Sequence, residues 1–171
     1  MSLNNFRSQF KGVRANRFQI IGKSPAAGNI QAFNIYARAS SFPGSSIGII
    51  PVGYKGRPIK FSGERTYTDW AVQVYDSSLS NIRQLMENWI DSMDTRESHQ
   101  INYDLTSDWE VHYMDMAIGT STSTSPSNYQ RKVKLVHCFP IDISPIDLSY
   151  DTPDTFAEFT LTLTYDYWEY I

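Results

Sequence analysis

Cysteine is almost absent: the 171-residue chain has one, Cys138. A lone thiol cannot close an internal disulfide, which excludes a disulfide-stapled secreted scaffold, and it offers no cysteine pair for zinc. Long apolar runs are missing as well. No stretch approaches the roughly 20 residues that a helix needs to cross a bilayer. The first residues, Met1 to Arg7, are polar and lack the apolar core of a signal peptide. The expectation is a soluble protein made in a reducing cytoplasm. Charged residues are 19% against 41% hydrophobic, which excludes an intrinsically disordered chain.

The most uneven shortage is of acid. Residues 1–63 hold nine of the 15 basic residues and none of the 18 acidic ones; Glu64 is the first acid. Residues 64–171 therefore carry six basic and all 18 acidic residues, an asymmetry hidden by the net charge of −3. Three readings fit: two differently charged surfaces on one domain, a basic arm for an acidic partner, or two ends that attract each other.

Aromatics are plentiful at 14%, and they favour pleated, half-buried surfaces. The length is that of one domain, 1–171, large enough to bury a core without metal or disulfide. Residues 1–16 read as an amphipathic N-terminal arm. Strands are expected at Arg17–Lys23 and Gln31–Ala39, paired as a hairpin across the Ser24–Asn29 turn. Ile47–Val52, broken by Gly48 and Pro51, suits an edge or irregular segment. Further strands are expected at Arg57–Phe61, Tyr67–Tyr75, Trp109–Met116 and Arg131–Phe139. Phe156–Trp168 reads as the longest, with Phe159, Leu161, Leu163, Tyr165 and Tyr167 on one face. Leu79, Ile82, Leu85, Met86, Trp89, Ile90 and Met93 recur at helical spacing, so one helix spans about 79–93, capped from among Asp76, Ser77, Ser78 and Ser80. The Ser/Thr-rich stretch 119–128 reads as a mobile loop. The fold class is mainly β, an antiparallel β-sandwich or small barrel with one flanking α-helix.

Catalytic patterns fail on context. Gly44-Ser45-Ser46-Ile47-Gly48 matches the serine-hydrolase G-x-S-x-G, but the serine must sit between a strand and a helix, and Pro51 forbids a helix there. Gly22-Lys23-Ser24 ends like a phosphate-binding loop, yet its first glycine is missing and no helix follows. His99, His112 and His137 lack zinc spacing. Asp142, Asp147, Asp151 and Asp154 do not alternate as calcium ligands do. No catalytic residue, metal or cofactor is expected.

One pattern is far more specific. Ile50-Pro51-Val52-Gly53-Tyr54-Lys55-Gly56-Arg57 is followed by Gly63-Glu64-Arg65-Thr66-Tyr67-Thr68-Asp69-Trp70. Ile82-Arg83-Gln84 and Trp89 continue the match, and Phe159 to Glu169 closes it. In order and spacing these blocks, about half the chain, resemble the tail tube proteins of T-even-type contractile bacteriophages. The Ser/Thr-rich loop, the 141–155 segment and the N-terminal arm depart from the family.

The resemblance implies a structural virion subunit. Hexameric rings stack into a hollow tube, a conduit for DNA ejection inside a contractile sheath, assembled in the host cytoplasm. Its implied partners are copies of itself, sheath, baseplate, terminator and tape measure proteins, and DNA in the lumen. Phe6, Phe10, Lys11 and Arg14 of the arm, with Tyr54, Lys55 and Arg57, are expected at subunit interfaces. Glu158, Thr160, Thr162, Thr164 and Asp166 are expected to line the channel, because a neutral or acidic wall lets DNA slide. The alternatives are a tube-like baseplate or terminator component, the tube of a phage-related injection system, or a nucleic-acid-binding module using the basic arm.

Overall fold

The computed structural model describes residues 3, 5, 15–25, 28–30, 32–79, 81–94, 101–114, 129–151 and 155–171. Alternation of apolar and polar residues produces most of its strands. In β6 (Trp70–Tyr75) the buried side chains are Trp70, Val72 and Val74. In β9 (Glu158–Thr164) they are Phe159, Leu161 and Leu163. β1 (Phe18–Ser24) and β7 (Ser107–Met114) likewise bury Ile20, Trp109 and Val111.

All pairings are antiparallel. With β2 (Gly28–Ile30), β3 (Ala37–Ser40) and β8 (Tyr129–Ile143), the main sheet runs β2-β1-β7-β8-β9-β6-β3, and β10 (Tyr167–Tyr170) adds to β8. Among the described residues its two ends, β2 and β3, are not joined, so the sheet is unclosed. It nevertheless folds over on itself. β7 and β6 are separated in the sheet by two strands, yet Trp109 and Trp70 meet edge to face across the core at 6.0 Å between ring centres.

The fold-over occurs at a corner in β8. Val136 and His137 together stand opposite Asp108, a bulge that bends the strand. His137 has φ 55, uncommon for a residue with a side chain. Its N–H donates to Asp108 Oδ1 at 3.2 Å, and its Nδ1 lies 2.8 Å from Asp166 Oδ2. β8 pairs with β10 up to Val136 and with β7 up to Cys138; from Phe139 on it pairs with β9.

That corner corrects the reading of 156–168 as the longest strand. β9 and β10 both run along β8, so they break where it bends, and β8 is the longest at 15 residues. The break also shifts the phase: Tyr165 is buried, but Tyr167 is exposed and Trp168 packs against the core instead. The Gln31–Ala39 strand is corrected as well. Phe33–Tyr36 forms a single helical turn, α1, with Phe33 buried and Ile35 exposed. Only β2 pairs with β1, whereas β3 crosses to β6 at the opposite edge.

The expected helix is α2 (Ile82–Met93), with Ile82, Met86 and Trp89 buried. Leu79 lies outside it and is exposed. The cap is Asn81, in a left-handed conformation (φ 45), and its side chain makes no capping bond. Trp89 Nε1 donates to the Leu105 carbonyl at 2.9 Å, and Arg83 reaches the Ser144 carbonyl at 3.0 Å, so both ends of the helix are tied to neighbouring loops.

Gly22 is dictated by packing. A Cβ there would stand 2.8 Å from Phe33 Cδ2 and 3.0 Å from Trp109 Cη2, both in the rigid core. Gly22→Ala is expected to destabilise the fold by about 1–3 kcal/mol, as overpacking does. A denaturant midpoint unchanged from the parent chain would show that the aromatic pair yields freely.

Candidate functional site

The strongest departure from globular economy is a hairpin. Among the described residues, β4 (Ser45–Tyr54) and β5 (Arg57–Tyr67) pair only with each other. Every residue of β4 is exposed, as are nine of the 11 in β5. At about 3.3 Å per residue the arm reaches roughly 30 Å. Its tip is a tight turn in which Lys55 (φ 45) and Gly56 (φ 79) both have positive φ, the geometry that matches strand twist.

Register gives the arm two unlike faces. Directly opposed pairs are Ile50 with Phe61, Val52 with Ile59, and Tyr54 with Arg57. The intervening pairs include Ile49 with Ser62 and Pro51 with Lys60. One face thus carries Ile50, Val52, Tyr54, Ile59 and Phe61, each 45–57% exposed. Such a contiguous apolar patch on a protruding ribbon marks an interaction surface. Burying these half-exposed side chains is worth about 1 kcal/mol each before entropy is counted. The arm is also basic, with Lys55, Arg57, Lys60 and Arg65 against Glu64.

The root of the arm is fixed. Trp70 Nε1 donates to the Ser41 carbonyl at 2.7 Å, and Trp168 Nε1 to Gly44 at 3.3 Å. Ser46 and Thr66 hydroxyls meet at 2.7 Å. Ser46 is the serine of the G-x-S-x-G pattern; it lies in a strand and is bonded to threonine, as the failed context requires. Midway, Gly63 and Glu64 bulge opposite Gly48, and the two glycines approach so closely that a Cβ on Gly63 would meet Gly48 backbone at 3.1 Å.

Of the expected interface residues, Tyr54, Lys55 and Arg57 stand together at the exposed tip, where the Lys55 ammonium lies over the Tyr54 ring. Phe6, Phe10, Lys11 and Arg14 lie outside the described residues, as do His99, Asp154 and the 119–128 stretch. Glu158, Thr160, Thr162 and Thr164 form one row along β9, alternating with the buried residues. Asp166 is separated from that row, in the turn before β10, bonded to His137. The Glu158 carboxylate is paired with the Arg38 guanidinium, so the row is close to neutral.

The apolar face at Ile50, Val52, Ile59 and Phe61 was not singled out from sequence. Alternation on both sides of Lys55-Gly56 was the signal that could have found it.

Titratable groups serve structure here. Burial pushes the Cys138 thiol up to about 12, which leaves it unreactive. At the corner, burial works against the Asp108 charge. The Lys134 ammonium at 2.8 Å and the His137 N–H outweigh it and hold the carboxyl below its ordinary value. Burial lowers His112 below its ordinary 6.5, against the opposing pull of Glu110 at 3.0 Å. The unfolded chain would take up that proton where the folded one resists, so stability falls as pH drops below about 6.5. Urea midpoints at about pH 7.5 and 5.5 should differ in that direction, and His112→Gln should shrink the difference. Among the described residues, no group of three or more His, Cys, Asp or Glu is placed to hold a metal ion.

Comparison with known proteins agrees with this geometry. Residues 2–171 match the family model described as "Phage tail tube protein". The chain is 26% identical over 139 residues to the tail tube protein gp19 of Enterobacteria phage T4, covering 81% of this chain and 82% of gp19. It is equally similar to gp19 of phage T6. In structure it resembles a chain of the PVC extracellular contractile injection system sheath–tube complex in its extended state. There the TM-score is 0.66 at 15% identity, covering 100% and 99% of the two chains. A chain of the anti-feeding prophage baseplate superposes with TM-score 0.69 at 11% identity, covering 95% and 97%. Residues and fold agree: the chain belongs to the phage tail tube protein family, as a structural subunit of the tube.

Proposed function

We propose that copies of this chain close into rings, that the rings stack, and that the hollow stack conducts DNA during ejection. The observation that carries this reading is the anchored hairpin with an apolar face in water. Alone, it leaves both ribbon edges and several large side chains unpartnered, a state that natural proteins avoid unless another chain covers them. The sheet ends at β2 and β3 offer further edges for ring closure. A head-to-tail ring needs two different surfaces on each subunit, and a basic arm on an acidic chain supplies the contrast.

A sheath outside and a baseplate below are the partners, by analogy with the assemblies in which the structural neighbours occur. The N-terminal arm, with Phe6, Phe10, Lys11 and Arg14, docks on a neighbouring copy. The site of action is the virion tail, and the role is mechanical rather than catalytic. The near-neutral row Glu158, Thr160, Thr162 and Thr164 faces the channel, where it does not trap DNA's dense charge. Sedimentation velocity across a concentration series tests the assembly: the boundary should jump from monomer to very large particles. A single monomer boundary throughout would refute the reading. Thr160→Lys with Thr162→Lys should slow ejection from otherwise normal tails, and unchanged ejection would remove that face from the channel.

A further inference from the structure

The segment after β8 presents a surface that mirrors the hairpin. Residues 135–171 contain seven acidic residues and no lysine or arginine. Within 144–151 the chain forms no helix or strand. It nevertheless holds Leu148 (87% exposed) and Tyr150 (107%) in water, and Phe156 (84%) follows in the next stretch. Asp142, Asp147 and Asp151 are interleaved with them and exposed. Thus one surface is apolar and basic, the other apolar and acidic. Each exposes large side chains that a solitary domain would bury.

We infer that the surface carrying Asp142, Asp147, Leu148, Tyr150, Asp151 and Phe156 is the receptor for the hairpin of another copy of this chain. Tyr54 and the Ile50–Phe61 face lie against Leu148, Tyr150 and Phe156, while Lys55 and Arg57 at the tip pair with Asp142, Asp147 and Asp151. The two patches differ, so the contact is heterologous, and every copy both gives a hairpin and receives one. Steering by opposite charge selects the partner patch, and desolvation of the aromatics holds it. The inference rests on the tube reading and names which surfaces meet in it.

The test uses the full chain with charges reversed on one side at a time. The hairpin variant is Lys55→Glu, Arg57→Glu; the segment variant is Asp142→Lys, Asp147→Lys, Asp151→Lys. Each alone should lose at least tenfold of its sedimentable assembly. The chain carrying all five changes should regain it, because its reversed patches match again. Folding is checked by the melting curve of each variant.

A second measurement avoids disruption altogether. Tyr54→Cys and Tyr150→Cys chains, mixed and oxidised, should form a crosslinked dimer, since the buried Cys138 does not compete. Tubes of parental yield from both reversed variants, no rescue by the combined fivefold change, or no crosslink would each overturn the pairing while leaving the tube intact. Failure of the parent chain to assemble would instead overturn the tube reading itself.

Discussion

With Val52 and Phe61 both changed to glutamate, the protein is expected to remain monomeric where the parent chain assembles. It is also expected to melt within about 2 °C of the parent, as exposed substitutions do. Both positions lie on the apolar face of the arm, 46% and 55% exposed, and neither belongs to the core. Their removal therefore costs the fold almost nothing. Assembly suffers twice: the interface loses two large apolar contacts, and two carboxylates must be desolvated if the surfaces still meet. Repeated around a ring, a penalty of a few kcal/mol per contact suppresses polymer by orders of magnitude. Size-exclusion chromatography and a thermal melt on one preparation check both halves. Normal assembly of the double variant would mean that this face stays wet in the tube.

Trp109→Ala is expected to do the reverse and to strike the monomer. The indole is fully buried; it meets Phe33 at 4.8 Å and Trp70 at 6.0 Å between ring centres, and it donates to the Lys23 carbonyl at 2.8 Å. It joins β1, β6 and β7 at the point where the sheet closes over. Truncation of a buried tryptophan costs about 3–5 kcal/mol, which for a chain of this size lowers the melting temperature by on the order of 10–15 °C. The orphaned Lys23 carbonyl adds to the loss. A shift of only a degree or two would place the core elsewhere.

Local pattern made much of this legible in sequence. Trp70, Val72 and Val74 alternate without interruption, and so do Phe159, Leu161 and Leu163; one face packs and the other does not. The stripe through Ile82, Met86 and Trp89 marks a helix for the same reason. What escaped was set by contacts distant in sequence. The corner at His137 depends on Asp108 and Asp166, each 29 residues away. Nothing near His137 foretells a positive φ, or that β9 and β10 must break with it. Phe33 and Ile35 have strand spacing, yet Phe33 is drawn into a helical turn that fits its ring against Trp109.

The hairpin was partly visible. Tyr54-Lys55-Gly56-Arg57 belongs to a block that carries the family resemblance, but Gly48 and Pro51 read as breaks in the strand. A two-stranded ribbon has only edge strands, where proline is tolerated, so both strands run through the interruptions to ten and 11 residues. In the proposed assembly the exposed apolar face is covered by a second molecule, which no periodicity within one chain can reveal.

Negative-stain electron microscopy of the purified protein is the most direct measurement. Hollow tubes built of stacked rings are the expected image, abundant at high protein concentration. Uniform particles of single-subunit size at every concentration would contradict the view that this domain is completed by its own copies.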